Sequence, residues 1–364
     1  MAIRERRVRK GIAVGEKGED GFLYLPGQLL VDLADEKQAV KVLDGAIERR
    51  RDTGDKLGLA HYDVPGEVPD LVERLRNEGI RCGPNHMLAG EPRYKGGPGT
   101  FATPGDDLGE PCGDAGKGVR IAVLDTGYTT GIHGWLDGCI DPDGVVFEQL
   151  DALAGDGRLD DEAGHGTFIA GIINRLAPGA RITARQVLLS DGWGDEASIA
   201  AAITDCAGAD IINLSLGAYT QGNLPPIGLV NALRHVPRTS VVVAAAGNAR
   251  SDVPFWPAAL KQVVAVAAVD GAGVKASFSN FGHWVDCAAP GDKITSTFPE
   301  WKPRDGSDPF TGWACWSGTS FSAPYLAGAI AAEMTAGGGT AADAVHRVMA
   351  AATRIDALIG AVLS

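Results

Sequence analysis

From Gly118 onward the chain alternates short apolar runs with stretches of helical periodicity, and that alternation leaves few architectures open. The runs at 119–125, 181–187, 211–214, 240–246 and 263–269 are rich in Val, Ile and Ala, as strands buried on both faces are. Helical patterns follow His165, Asp195, Ile227, Ser320 and Thr340. Strands separated by helices pair in parallel and carry helices on both faces. Residues 118–364 are therefore expected to form an α/β domain on a parallel sheet. Ligand and catalytic groups in such sheets collect at the carboxyl ends of the strands.

Three short segments carry chemistry. In Trp316-Ser317-Gly318-Thr319-Ser320-Phe321-Ser322-Ala323-Pro324, small residues leave room for a backbone and a substrate to approach Ser320. The apolar helix that follows points its N-terminal dipole at the same place, where negative charge is stabilised. A serine so placed is a candidate nucleophile, but a weak one without a base and an orienting carboxylate. The carboxylate candidate is Asp125, which ends the strand 119–125 and is followed by Thr126-Gly127. The base candidate is His165, in Gly164-His165-Gly166-Thr167, just ahead of the apolar helix face Phe168, Ile169, Ile172 and Ile173. A fourth strand, Val241–Ala246, ends in Gly247-Asn248, and acyl transfer needs a donor of that kind aimed at the oxyanion.

The order Asp125, His165, Ser320, with DTG, GHGT and GTSFSAP around them, resembles the subtilisin-like serine peptidases, or subtilases, over roughly residues 117 to 350. The resemblance implies a subtilisin-like fold and a serine endopeptidase working through an acyl-enzyme, with Asn248 as the oxyanion residue. It also implies a substrate-binding edge at Asn213-Leu214-Ser215-Leu216-Gly217. An extended peptide would add there as a strand, with Ser215, Leu216, Gly217, Ala245, Ala246 and Gly247 around the residue before the cleaved bond. Phe168 departs from the pattern, standing where many relatives carry a second histidine. The competing reading is a catalytically silent module that binds peptides in the same groove.

Other readings of these motifs are weaker. A second Asp-Thr-Gly, at Asp52-Thr53-Gly54, would suit a paired-carboxylate site only if both acids shared a desolvated setting. Asp52 follows three arginines and precedes Asp55 and Lys56, so its segment reads as a solvated turn. The nucleophile turn lacks the second glycine of the α/β-hydrolase elbow. His61, His86, His133, His235, His283 and His346 have no comparable surroundings and read as structural.

A formal net charge of −13 argues against nucleic acid or an anionic membrane as the main partner, and leaves peptide or protein substrates. No stretch has the roughly 18 apolar residues of a membrane span. The N-terminus is basic but lacks an apolar core, so it does not read as a secretory signal, and a cytoplasmic location is expected. Six cysteines without CxxC spacing read as reduced and structural. Composition says nothing of the oligomeric state.

Ahead of the peptidase-like region three further parts are expected. Residues 1–20 form a basic tail, and 21–90 a small α/β unit that is either propeptide-like or accessory. Residues 91–117, rich in Gly, Pro and Asp, form a linker. In the small unit, two strands flank Pro26-Gly27, helices run over 36–50 and 68–78, and strands over 57–62 and 80–82. No cofactor is required and no metal site is assigned. The segment 131–162, with nine acids against Arg158 alone, has the hard oxygen ligands of a structural Ca2+ loop, although such loops are more often simply solvated.

Overall fold

The computed structural model describes residues 13–15, 21–52, 55–90, 101–142, 148–151, 157–304, 306–352 and 354–363. Most of the basic tail, the linker residues 91–100, Thr53, Gly54, and the acids Asp143 and Asp156 lie outside the described residues.

The N-terminal unit contains β1 (Ala13–Gly15), β2 (Phe22–Asp32), α1 (Glu36–Leu43), β3 (Arg49–Arg51), β4 (Leu59–Asp63), α2 (Val68–Asn77) and β5 (Cys82–Ala89). Its sheet runs β3-β4-β2-β5, with β1 beside β2. Leu29, Val31, Val68, Val72 and Leu75 meet in a core of its own. Two expectations are corrected here. Pro26-Gly27 does not divide two strands. β2 is one strand of 11 residues that breaks register with β5 between Tyr24 and Leu29, with Gly27 at φ +70. The first helix stops at Leu43 rather than near Arg50, because Asp44 (φ +38) and Gly45 (φ +80) turn the chain into an edge strand. Charged side chains suit that edge: Arg50 pairs with Glu36 and Arg51 with Asp63, each at 2.7 Å.

The rest of the chain continues with β6 (Thr103–Pro104), β7 (Arg120–Asp125), α3 (Gly134–Asp137), α4 (His165–Leu176), β8 (Arg181–Gln186), β9 (Trp193–Asp195) and α5 (Glu196–Asp205). Then come β10 (Ile211–Leu214), α6 (Ile227–Leu233), β11 (Val241–Ala245), β12 (Val263–Val269), β13 (Cys287–Pro290), β14 (Ile294–Thr297) and β15 (Trp313–Trp316). The chain finishes with α7 (Thr319–Gly337), α8 (Ala341–Ala350), β16 (Arg354–Asp356) and β17 (Gly360–Val362). The main sheet has the order β16-β17-β13-β12-β11-β10-β7-β8, and the neighbours from β17 to β8 pair in parallel. One core, with Phe168, Ile173 and Leu326 from α4 and α7, lies on one face; another, with Ile199, Ile203 and Leu229 from α5 and α6, lies on the other. The α/β fold with helices on both faces is as the pattern implied. The linker is not wholly irregular, because β6 adds to a small sheet in the order β14-β15-β6.

Among the described residues no helix is long and apolar enough to cross a membrane. All six cysteines are free thiols.

Candidate active site

Asp125 ends β7 in the middle of the sheet and is fully buried. Its Oδ1 accepts hydrogen bonds from the Thr126 N–H (2.8 Å) and from His165 Nδ1 (2.7 Å). His165 opens α4, so a strand end and a helix start supply the pair. The two motifs also grip each other: the Gly166 N–H donates to Thr126 Oγ1 at 3.0 Å, and a Cβ on Gly166 would collide with the Gly127 carbonyl. Only glycine permits that approach.

Ser320 lies in the first turn of α7. Pro324, four residues on, has no N–H to give to the Ser320 carbonyl. Ser215 Oγ donates to that carbonyl instead, at 2.7 Å, and itself accepts from Asn213 Nδ2 at 2.9 Å. Ser215 therefore braces the nucleophile's backbone, a role the sequence reading missed although the four-residue spacing to Pro324 signals it. Asn248 follows β11. Its Oδ1 accepts from both the backbone N–H and the hydroxyl of Thr319, each at 2.9 Å, which turns Nδ2 toward Gly318 and the nucleophile turn. The Gly247 N–H donates to Thr319 Oγ1 at 3.0 Å. Leu216, Ala245 and Ala246 place their side chains in the cores behind the groove, so whatever they offer a substrate is backbone.

Two acids join the site that composition alone assigned to a solvated or ion-binding loop. Glu162 Oε2 lies 3.8 Å from His165 Nε2, and Glu148 Oε1 accepts the Gly164 N–H at 2.8 Å. Both are buried. Burial by itself pushes the His165 pKa down, but Asp125, Glu162 and Glu148 outweigh it and hold it up at about 9. Burial raises the Glu148 carboxyl to about 8 against the opposing hydrogen bonds. Among the described residues no three acidic, histidine or cysteine side chains gather closely enough to hold a metal ion, so the described part of 131–162 does not fit the Ca2+ loop its composition allowed. Asp52 is exposed on the N-terminal unit, far in kind from a buried dyad.

The groove beside Ser320 is filled by the chain's own residues. β5 pairs antiparallel with β9, Met87 opposite Asp195 and Ala89 opposite Trp193. On its other side Ala89 and Gly217 exchange both backbone hydrogen bonds at 2.9 Å, and the Gly90 N–H donates to the Gly192 carbonyl at 3.0 Å. The strand expected at 80–82 thus extends to Ala89, because β2 and β9 both pair with it. Ser320 Oγ lies 3.2 Å from the Gly90 carbonyl and 3.4 Å from that of Ser215, while buried His165 Nε2 hydrogen-bonds to no described residue. His86, read as structural, ties the two units together: its Nδ1 meets buried Glu196 Oε2 at 2.6 Å. Asn85 Nδ2 donates to Asp195 Oδ1 at 3.0 Å, and its Oδ1 accepts the Ala197 N–H at 3.1 Å, close to the start of α5.

Comparison with known proteins gives a consistent picture. The sequence pattern of the subtilase family matches residues 116–358. Thermitase of Thermoactinomyces vulgaris is 39% identical over 228 residues, covering 58% of this chain and 74% of thermitase. A thermophilic serine proteinase of Bacillus sp. strain AK1 is 40% identical over 229 residues, and the match spans 58% of this chain but only 51% of that protein. Among solved structures, a cold adapted subtilisin-like serine proteinase aligns with a TM-score of 0.52 at 26% identity, over 68% of this chain and 87% of that one.

Proposed function

The chain belongs to the subtilase family of serine endopeptidases, which act on peptides or proteins, and from that premise we propose that Ser320, His165, Asp125 and Asn248 carry the reaction here. Ser320 Oγ attacks the peptide carbonyl while His165 Nε2 takes its proton and later delivers it to the leaving amine. Asp125 holds the Nδ1–H tautomer and stabilises the imidazolium. Asn248 Nδ2 and the Ser320 N–H receive the oxyanion at the head of α7. The observation that carries this reading is the 2.7 Å Asp125–His165 bond, buried beside a serine at a helix start and an amide locked by Thr319. A fluorophosphonate probe tests it. Covalent labelling of the wild-type protein that disappears in Ser320→Ala is expected, and a protein that turns over peptides without labelling on Ser320 would contradict it.

The N-terminal unit is read as an inhibitor held in cis, removed when the linker after Gly90 is cut. Support comes from the path of Met87–Gly90, which adds as a strand between β9 and Gly217 and ends at Ser320 Oγ, as a substrate's acyl side would. A Cβ on Gly90 would stand 3.7 Å from His165 Cε1 and 3.6 Å from Glu162 Oε2, so this residue sits at the catalytic base itself. Intact-mass measurement decides the matter. Wild-type protein should lose a fragment ending between Gly90 and Gly118, while Ser320→Ala stays at 364 residues. An active wild type that also stays at full length would mean the unit is a permanent accessory domain.

A further inference from the structure

Beside the triad is a cavity of about 390 Å3 walled by Phe298, Trp301, Phe310 and Trp316, with Ala163 and Asp161 also lining it. Its place relative to the nucleophile is set by two contacts. Trp316 stands edge-on to the His165 ring with centroids 5.4 Å apart, and Ala163 is two residues before His165. It shares no lining residue with the strands that hold Met87–Gly90, namely Trp193–Asp195 and Ser215–Gly217. A peptide that enters along that groove and passes Ser320 therefore leaves toward the aromatic cavity.

The chain itself marks the exit. Where it is next described after Gly90, at Phe101 and Ala102, it lines this cavity. Thr103 then lies opposite Cys315 and Pro104 opposite Ala314 in antiparallel pairing, a register that carries Ala102 toward Trp316. An extended segment thus runs along β15 on the side of Ser320 away from Gly90. The rings offer a large apolar surface at close spacing, with Phe298 and Phe310 centroids 4.6 Å apart and Phe298 and Trp316 centroids 6.3 Å apart. Such a wall fits a planar or bulky apolar side chain and gives little to a small or charged one.

We propose that this cavity is the leaving-group-side specificity pocket of the enzyme, taking an aromatic or large aliphatic side chain that follows the cleaved bond. The assignment rests on the reading of Ser320 as nucleophile, and acyl transfer separates the two. The wild-type protein is acylated by a chromogenic ester, and Phe-Gly-amide, Gly-Phe-amide or Gly-Gly-amide is added as acceptor. Acceptors then compete with water for one common acyl-enzyme, so the product ratio reads only the leaving-group side. At least one phenylalanine-bearing acceptor should be captured about tenfold better than Gly-Gly-amide, within the range over which apolar pockets discriminate. That preference should shrink toward unity in Trp301→Ala and in Phe310→Leu, the milder change guarding against loss of fold. Equal capture of all three acceptors by wild type, or a preference unchanged in both variants, would overturn the pocket. Absence of any Ser320-dependent acyl transfer would overturn the nucleophile reading beneath it.

Discussion

The catalytic cluster and the face that carries the N-terminal unit are held together by different kinds of interaction. Asp125, His165, Asn248 and Ser320 arrive from the ends of β7 and β11 and the starts of α4 and α7, and buried bonds through Thr126, Ser215 and Thr319 cross-link those ends. Each link spans distant parts of the chain and lies within the main domain, so losing one disturbs the site from inside. The N-terminal unit has its own core and reaches the main domain by a strand edge and a few side chains, chiefly Asn85 and His86. Strand addition supplies many backbone bonds without requiring either core to open. The first arrangement suits permanence, and the second suits release.

Four results would break or sharpen this contrast. The largest effect belongs to the nucleophile and base. Ser320→Ala or His165→Ala should lower kcat on the order of 10⁶-fold, the loss such a unit shows in subtilisin, while the unfolding transition stays cooperative. Substantial activity in either purified variant would remove these residues from the reaction. Asn248→Ala comes next, with kcat down by about 10²–10³ and little change in KM, because the amide bonds the developing oxyanion more strongly than the ground-state carbonyl. A loss confined to KM would make Asn248 a substrate-binding residue instead.

Third is the pH dependence of linker cleavage in the intact chain. His165 must be neutral to accept the Ser320 proton, and the three acids around it hold its pKa at about 9. The cleavage rate, followed by intact mass, should therefore climb as pH rises from 7 toward 10, by roughly a hundredfold overall. Glu162→Gln should move that rise to lower pH. A flat profile would show that the carboxylates do not govern the base. The smallest effect is expected at the docking face. Asn85→Ala removes bonds to Asp195 and Ala197 and should weaken the hold of the cut N-terminal unit by about 1 kcal/mol. The readout is the concentration of that fragment needed to inhibit, and a matching fall in kcat of the freed enzyme would blur the distinction drawn above.

Much of the site was legible because its residues occupy signalled positions. Asp125 closes an apolar strand, His165 and Ser320 open helices beside glycines, and Asn248 follows a fourth strand after a glycine. Glu148 and Glu162 were not legible as site residues. They sit in a run of acids, and charge count alone cannot say which carboxylate turns inward beside an imidazole. Cys82–Ala89 failed for a related reason: with Pro84 and Asn85 in its middle it has little strand character, and becomes a strand because β2 and β9 pair with it.

The sequence by itself determined the parallel α/β core and the identity of the candidate catalytic side chains, since apolar periodicity and residues at strand and helix ends are local properties. Tertiary structure decided what surrounds them. It set two carboxylates against His165, laid Gly90 at Ser320, gave the Ser320 carbonyl to Ser215, and closed four aromatic rings into a cavity beside Trp316. Each of these joins residues far apart in the chain, and burial, hydrogen bonding and electrostatic shift depend on distances that no local pattern contains.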